Sequence, residues 1–378
     1  MKVLVAGAGI GGLCLAQGLV RAGIDVRVFE REAAADSRYQ GFRIGLDAPG
    51  LAALRQCLPP RLHGLLEAVT GPLAGERRVV DEQLTEIRRL GRTDGGTAAD
   101  RHVLRQLLLS GLADRVEFGR AVVGYQELAD GRVAARLADG DTVEGDLLVG
   151  ADGVGSAVRR QLLPGARVVA LPGNSVLGRT PMTERLAALV PGAGTLVQGA
   201  GVSLLIGRME FRRPPRSAAA ELAPEVELPD TTSYLRWVAM LPEPLDAPAG
   251  PADWAGVRDR LLTLIDDWHP DLVELVRRSD AGNSSPLTIR YAEPVPHWGT
   301  GPVTLLGDAI HPMPPSAGQG ANTALRDAEL LCRSLTAVHR GEAEPATAVE
   351  EYELLMLDRG FAAVADGLAR LPEFTPAR

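Results

Sequence analysis

Residues 2–30, KVLVAGAGIGGLCLAQGLVRAGIDVRVFE, decide how the rest of the chain is read. The apolar run Val3, Leu4 and Val5 predicts a parallel strand buried on both faces, which needs no polar alternation. Gly7, Gly9 and Gly12 follow in GxGxxG spacing, with Ile10 and Gly11 between the last two, and open a helix carrying Leu13, Leu15, Ala16 and Leu19 as far as Gly23. A second strand through Val26 and Val28 ends at Glu30, with Arg31 next. This is the pattern of a βαβ dinucleotide fingerprint: one glycine for the sharp turn, one for backbone approach to a pyrophosphate, one for helix-on-strand packing. The helix start offers unpaired N–H groups and a positive dipole end to phosphates. Glu30, about twenty residues past the glycines, can accept ribose hydroxyls and would repel a 2′-phosphate, which favours FAD or NAD over NADP at this site.

With 378 residues, 46% of them hydrophobic, the chain suits two closely joined domains or one large one. Its 40 Lys and Arg against 48 Asp and Glu leave a net charge of −8, so nucleic-acid binding, which needs a basic face, is not expected. Arg212, Arg213 and Arg216 are broken up by Pro214 and Pro215 and read as a solvated loop. Cys14, Cys57 and Cys332 have neither metal nor redox spacing, and packing is their expected role. Without a signal-peptide core or a run of about eighteen apolar residues, the expectation is a cytoplasmic monomer or homodimer with no membrane or metal partner.

Residues 39–46 (YQGFRIGL) read as loop and strand, where Arg43 either meets a phosphate or faces solvent. Leu51 to Leu58 begins an amphipathic helix, residues 79–90 read as edge strands of a second domain, and Gly91 to Gly96 as a turn. Asp100 to Leu112 is patterned as a helix, with Val103, Leu104, Leu107 and Leu108 on one side and Arg101 near its start. Short alternating runs from Val116 to Val149, split by Asp130-Gly131 and Asp139-Gly140, predict a β-meander returning to a buried strand. That strand ends in GADGVGSAVR, residues 150–159, placing Asp152 and Gly153 where ligands of open α/β sheets gather; a helix N-cap by Asp152 or Ser156 is the plainer reading. From Leu171 to Pro286 prolines cluster and apolar runs shorten, which predicts a separate substrate-covering sheet with a helix around Trp268. His269 and His297 stand alone and read as structural.

A third constellation follows strand Val303 to Leu306: GDAIHPMPP, residues 307–315, then Gly318, Gln319, Gly320, Ala321 and Asn322 opening a helix with Leu325, Ala328, Leu331 and Leu335. A proline-bearing loop that runs into a glycine-rich helix start builds a fixed backbone wall beside an anion-attracting helix end. Together, the three motifs resemble the class A flavoprotein monooxygenases, the family of para-hydroxybenzoate hydroxylase, over most of the chain outside the middle domain.

The resemblance implies an α/β fold: a Rossmann-type FAD-binding domain from residues 1–75, 97–170 and 285–335, an inserted β-sheet substrate domain from 76–96 and 171–284, and C-terminal helices over 336–378. Gly7, Gly9, Ile10, Gly11, Gly12, Glu30 and Arg31 would hold the adenosine end of FAD. Asp152 and Gly153 match a motif serving FAD and nicotinamide, and Gly307 and Asp308 one whose aspartate holds the ribitol. Arg43 and Arg101 are similar to arginines near the pyrophosphate and ribityl chain. Pro315 matches a proline whose carbonyl faces substrate, and Gly318, Gly320, Ala321 and Asn322 the backbone cradling the flavin pyrimidine. No acid or base is assigned. The implied reaction uses NADPH or NADH as a transient reductant, and O2, to hydroxylate an aromatic, polycyclic or polyketide-like molecule of secondary metabolism through a flavin C4a-hydroperoxide. A flavin-dependent oxidase or reductase, and a non-catalytic FAD-binding protein, are the alternatives.

Overall fold

The computed structural model describes residues 1–35, 42–171, 174–241, 254–280 and 285–374. The expected loop at Tyr39 to Gly41 and the proline-rich residues 242–253 lie outside them. The fingerprint forms as Lys2–Ala6 (β1), Ile10–Arg21 (α1) and Asp25–Glu30 (β2). Next come Arg43–Leu46 (β3), Ala48–Cys57 (α2), His63–Ala68 (α3), Thr70–Val80 (β4), Glu86–Asp100 (β5) and Arg101–Leu109 (α4). Val116–Phe118 (β6), Val122–Glu127 (β7), Val133–Leu137 (β8), Thr142–Gly145 (β9), Leu147–Gly150 (β10) and Ala157–Leu162 (α5) complete the first half. The middle runs through Val168–Ala170 (β11), Asn174–Pro181 (β12), Glu184–Ala187 (α6), Gly194–Gly199 (β13), Val202–Met209 (β14), Pro215–Leu222 (α7), Tyr234–Leu241 (β15), Trp254–Leu264 (α8) and Pro270–Arg277 (α9). Ser285–Leu287 (β16), Arg290–Ala292 (β17), Val303–Leu305 (β18), Gly320–His339 (α10) and Pro345–Arg370 (α11) close the chain.

Five parallel strands form one sheet in the order β18-β10-β1-β2-β6. β1 sits at its centre because both faces are covered: α1 packs over Val5, and Gly145 of β9 lies against Leu4. Val3, Leu4 and Val5 are fully buried, each contributing roughly 1.5–3 kcal/mol relative to exposure. The chain leaves β1 toward β2 on one side and later returns to β10 on the other, so a topological switch point lies between β1 and β10. All five strands run the same way, so the three glycine-and-aspartate motifs and Glu30 emerge along one edge. That edge spans roughly 14 Å, taking three strand spacings of about 4.8 Å.

The second sheet has eight strands in the order β16-β12-β15-β14-β13-β4-β5-β3. It takes in Arg43–Leu46 and all of Thr70–Val80, which the sequence division put largely with the FAD-binding part. The turn read at Gly91 to Gly96 is instead the middle of β5, paired across to β4 with register shifts. Left-handed glycines there, Gly91 (φ 50°) and Gly95 (φ 76°), make irregularities in a long hairpin, and the glycine signal is the same for a bulge as for a turn. Alternation separates the two faces of this sheet. Leu235, Trp237, Ala239, Leu204, Ile206 and Val176 are sealed beneath α8 and α9, whereas Leu177, Leu205, Val238 and Met240 on the opposite face keep partial exposure.

α10 lies against α1 and α2 and joins Cys14, Cys57 and Cys332 at one crossing, where the missing Cβ of Gly18 would sit 2.5 Å from the Cys332 sulfur and 3.2 Å from that of Cys57. The neighbouring Cys14 thiol and burial push the Cys57 thiol far up, so it packs as a thiol. No described helix is long and apolar enough to cross a membrane.

Candidate functional site

The turn after β1 closes on the neighbouring strand end. Gly7 has φ 105°, and a Cβ there would lie 2.4 Å from the Ala151 carbonyl oxygen; one on Gly12 would lie 2.2 Å from the Gly7 oxygen. α1 then begins at Gly9 without a side-chain cap, and α10 begins at Gln319 likewise. By contrast α2, α4 and α5 are capped by Asp47, Asp100 and Ser156. α3, α7 and α11 also start without a side-chain cap, but the starts of α1 and α10 are neighbours: Gly11 abuts Leu306 and Ala324, which flank the third motif. A Cβ at Gly9 would meet nothing within 4 Å, so the backbone faces open space there. Free N–H groups at two adjoining helix ends, beside glycine surfaces that nothing fills, fit an extended anionic dinucleotide such as FAD.

Glu30 is buried at the end of β2, and its carboxylate accepts from the Ala8 N–H (2.7 Å) and the Glu32 N–H (3.0 Å). It therefore braces the fingerprint turn, and its remaining lone pairs are what a ribose could use. Arg31 is exposed beside it. Of the α4 arginines, Arg101 starts the helix, its N–H bonded to the Phe42 carbonyl (2.7 Å), but Arg105 one turn on is the one that reaches Glu30. Arg105 is 5% exposed, donates to the Ala8 and Ala35 carbonyls (2.8 and 2.6 Å) and lies 3.6 Å from Glu30 and 3.5 Å from Glu32. Sequence reading passed over it. The available signal was an arginine inside the apolar stripe of a helix, where burial requires a partner.

At the second motif the plainer reading applies to Ser156, which accepts from the Arg159 N–H (2.9 Å). Asp152 adds a bond from the Ala157 N–H (2.7 Å), leaving its Oδ1 buried without a partner. Arg159 ties this motif to the third, donating to the Ala309 carbonyl (2.7 Å) and to the Val154 carbonyl (2.8 Å). Asp308 is exposed between buried Gly307 and Ala309, so its carboxylate projects from an otherwise closed segment. Replacing Asp308 with alanine is expected to weaken FAD binding about 10–100-fold, the worth of a charged hydrogen bond, with the melting temperature of the apoprotein unchanged. Equilibrium titration with FAD checks this, and full retention of affinity would remove Asp308 from the site.

The loop carrying Asp308 is held from behind by a buried network. Asp327 of α10 accepts from the Gly307 N–H (3.1 Å) and from Arg359 of α11 (2.8 Å), and its Oδ2 lies 2.7 Å from His311 Nε2. Burial alone would lower the His311 pKa, but the charge and hydrogen bond of Asp327 hold it above its ordinary value. Burial would raise Asp327, and His311 and Arg359 hold it down. The Pro315 carbonyl, expected to face substrate, accepts from the Gly318 N–H (3.0 Å) in a single tight turn. Asn322 works through its side chain as well: it accepts from the Asp47 N–H and donates to the Gly45 and Gly318 carbonyls (all 3.0–3.1 Å), clipping the start of α10 to β3.

Arg43, which the resemblance puts near the pyrophosphate and ribityl chain, lies on a strand of the second sheet. Its strand, β3, pairs with β5 at the edge of the large sheet, and its guanidinium is turned toward Gly207 and Arg236 of that sheet. His269 caps α9, and His297 bonds Glu353 at 2.7 Å.

Residues 102–364 match the model of a family described as FAD binding domain. The chain is 33% identical, over 94% of its length, to the dual O-methyltransferase/FAD-dependent monooxygenase CTB3 of Cercospora beticola, of which it spans 44%. It is 30% identical, over 95% of its length, to the aurachin C monooxygenase/isomerase of Stigmatella aurantiaca, of which it spans 86%. A crystal structure designated a FAD-containing monooxygenase from Photorhabdus luminescens superposes with a TM-score of 0.82 at 32% identity, over 98% of this chain and 97% of that one.

Proposed function

The chain belongs to the class A flavoprotein monooxygenases, whose cofactor is FAD, and from that premise we propose that it uses NAD(P)H and O2 to insert an oxygen atom into an aromatic or polyketide-like small molecule. The observation that carries the reading is the single edge on which the fingerprint, Asp152 and Asp308 emerge, linked by Gly7 against Ala151, Gly11 against Leu306 and Arg159 to Ala309. Gly7, Gly9 and Gly12 would take the pyrophosphate, Glu30 the adenosine ribose, Asp308 the ribitol, and the backbone of Gly320 to Asn322 the flavin pyrimidine.

The chemistry supplied by FAD when bound is acceptance of hydride from NAD(P)H and activation of O2. The protein's part is orientation, charge and dryness. With FAD held as proposed, the uncapped start of α10 would present its positive end to the pyrimidine and favour negative charge there by about 1 kcal/mol in a partly buried setting. Pro312, Pro314 and Pro315 would stiffen the wall beside it, a fixed backbone surface that helps to keep water out. A place in secondary metabolism fits the relatives named above.

The purified protein is expected to show bound-flavin absorption, to oxidise NAD(P)H faster when a suitable phenol or polycyclic aromatic is added, and to transfer label from labelled O2 into the product. Turnover without label in the product would instead establish an oxidase or reductase. Bound flavin that no member of the panel stimulates would favour the non-catalytic binder.

A further inference from the structure

The long last helix, α11, follows the third motif step by step. Its Tyr352 hydroxyl donates to the Leu305 carbonyl (2.7 Å) at the end of β18, and its Arg359 bonds Asp327 behind the Asp308 loop (2.8 Å). One residue on, Gly360 makes room for His311, since a Cβ there would lie 2.3 Å from the imidazole. Two turns later Gly367 meets the proline wall: its carbonyl accepts from Ser316 Oγ, and a Cβ would lie 3.2 Å from the Pro314 oxygen. The α-helical ladder stops shortly beyond, where Pro372 has no N–H to give it. Leu371–Phe374 instead makes a short 3₁₀ turn that carries the chain across to the large sheet.

There it is fastened to the face turned away from α8 and α9. Gln198 of β13 donates to the Glu373 carbonyl (3.1 Å). The Phe374 ring, 6% exposed, clusters with Val79 of β4 and Leu196 of β13, and Leu90, Leu205 and Met240 pack around them. Four residues thus bridge the proline wall and the open face of the sheet. The cluster that receives Phe374 is continuous with neither the main core nor the one beneath α8 and α9. It is a small satellite of both. A turn held at one such seat can leave it while both cores stay packed, which puts its release at the low end of local opening free energies. An apolar contact is also non-directional, and the Glu373 carbonyl can exchange Gln198 for water, so the turn can leave and return without rebuilding a polar network.

We propose that Leu371–Phe374 is a clasp between the proline wall and the large sheet, with Phe374 as its catch. Closed, it shuts the gap between the third motif and the sheet; open, it lets small molecules pass to the site beside the wall. Gln198 fixes where the turn lands, and Gly367 sets the end of α11 close enough to the wall for four residues to reach the sheet. Such a device meets two opposed needs of a redox site, dryness while the reaction proceeds and a path for what enters and leaves. That the wall borders the flavin rests on the function proposed above; the clasp itself does not.

The test uses the FAD-loaded full chain and two readouts. Trypsin can cut after the exposed Arg370 only when the turn beyond it has left its seat, so release of the peptide 371–378 follows the open population. Dithionite reduction of the bound flavin, followed by absorbance, reports access to the cofactor. In Phe374→Ala the peptide is expected to come off about tenfold faster or more, because the closed form loses a buried aromatic ring, and reduction to speed up at least about threefold. Gln198→Ala should move both readouts in the same direction by less. Phe374→Leu, which refills most of the seat, should return both toward the parent. Flavin content and melting temperature should stay near the parent's throughout. Peptide release unchanged in Phe374→Ala overturns the clasp, with or without flavin bound. Faster release with an unchanged rate of reduction also overturns it, since the turn would then move without controlling access. Loss of flavin in Phe374→Leu overturns it too, because the turn would then be part of the cofactor's frame. A parent protein that takes up no FAD fails the function proposed above, and peptide release still decides whether the turn opens.

Discussion

Gly7→Ala is expected to yield a protein that purifies nearly free of flavin, binds added FAD at least about 100-fold more weakly, and melts roughly 5 °C or more below the parent. Two costs coincide at this residue. A φ of 105° suits glycine and strains a residue with a Cβ by about 1–3 kcal/mol. The added methyl would also stand 2.4 Å from the Ala151 carbonyl oxygen and 2.9 Å from the Asp152 Cα, backbone atoms of a strand end that cannot turn aside, adding about 1–3 kcal/mol of overpacking. The damage falls on the junction of the first two motifs, so cofactor affinity and stability should fall together. Gly23→Ala is the control: it has φ 77° at the end of α1 but nothing within 4 Å, so it should cost only about 1 kcal/mol and leave flavin in place. If both variants keep their flavin, the closure of Gly7 on Ala151 is not what shapes the cofactor turn.

Asp327→Asn is expected to destabilise the protein by about 3–5 kcal/mol and to loosen FAD binding, although Asp327 lies behind the Asp308 loop and not in the cleft. The change keeps the shape and removes the charge that His311 and Arg359 share, leaving a fully buried imidazolium and a partly buried guanidinium without their carboxylate. The pH dependence identifies the pair. The His311 pKa is raised on folding, so its contribution is complete below the unfolded value of about 6.5 and fades as pH rises through the higher folded one. Asp327 is depressed, so its contribution is present above the unfolded value of about 3.9 and is lost as pH falls through the lower folded one. The gap in melting temperature between parent and variant should therefore be widest from about pH 4 to 6.5 and narrow on the alkaline side. A gap that stays constant from pH 5 to 9 would mean that His311 does not carry the charge.

These two variants and Asp308→Ala separate three ways of losing the cofactor: a turn that cannot close, a loop that loses its backing, and a ligand removed from an intact frame. Only the last should spare the melting temperature.

By itself the sequence determined the parallel half of the molecule and the stations along its edge. Gly7 to Gly12, Asp152 and Asp308 each follow a short apolar strand and precede a helix, and turn chemistry of that kind is written within a dozen residues. Glycine spacing could not distinguish the bulged middle of β5 from a turn, because both use left-handed glycines and only pairing with β4 separates them. Which arginine meets which group was decided in the tertiary structure alone. On sequence alone Arg43 stood open between a phosphate and solvent, and the pairing of β3 with β5 carries it to Gly207 and Arg236, while Arg105, one turn past Arg101, reaches Glu30. The physical reason is range: backbone conformation answers to adjacent residues, whereas a charge is satisfied by whatever strand order and helix packing bring within a few ångströms of it.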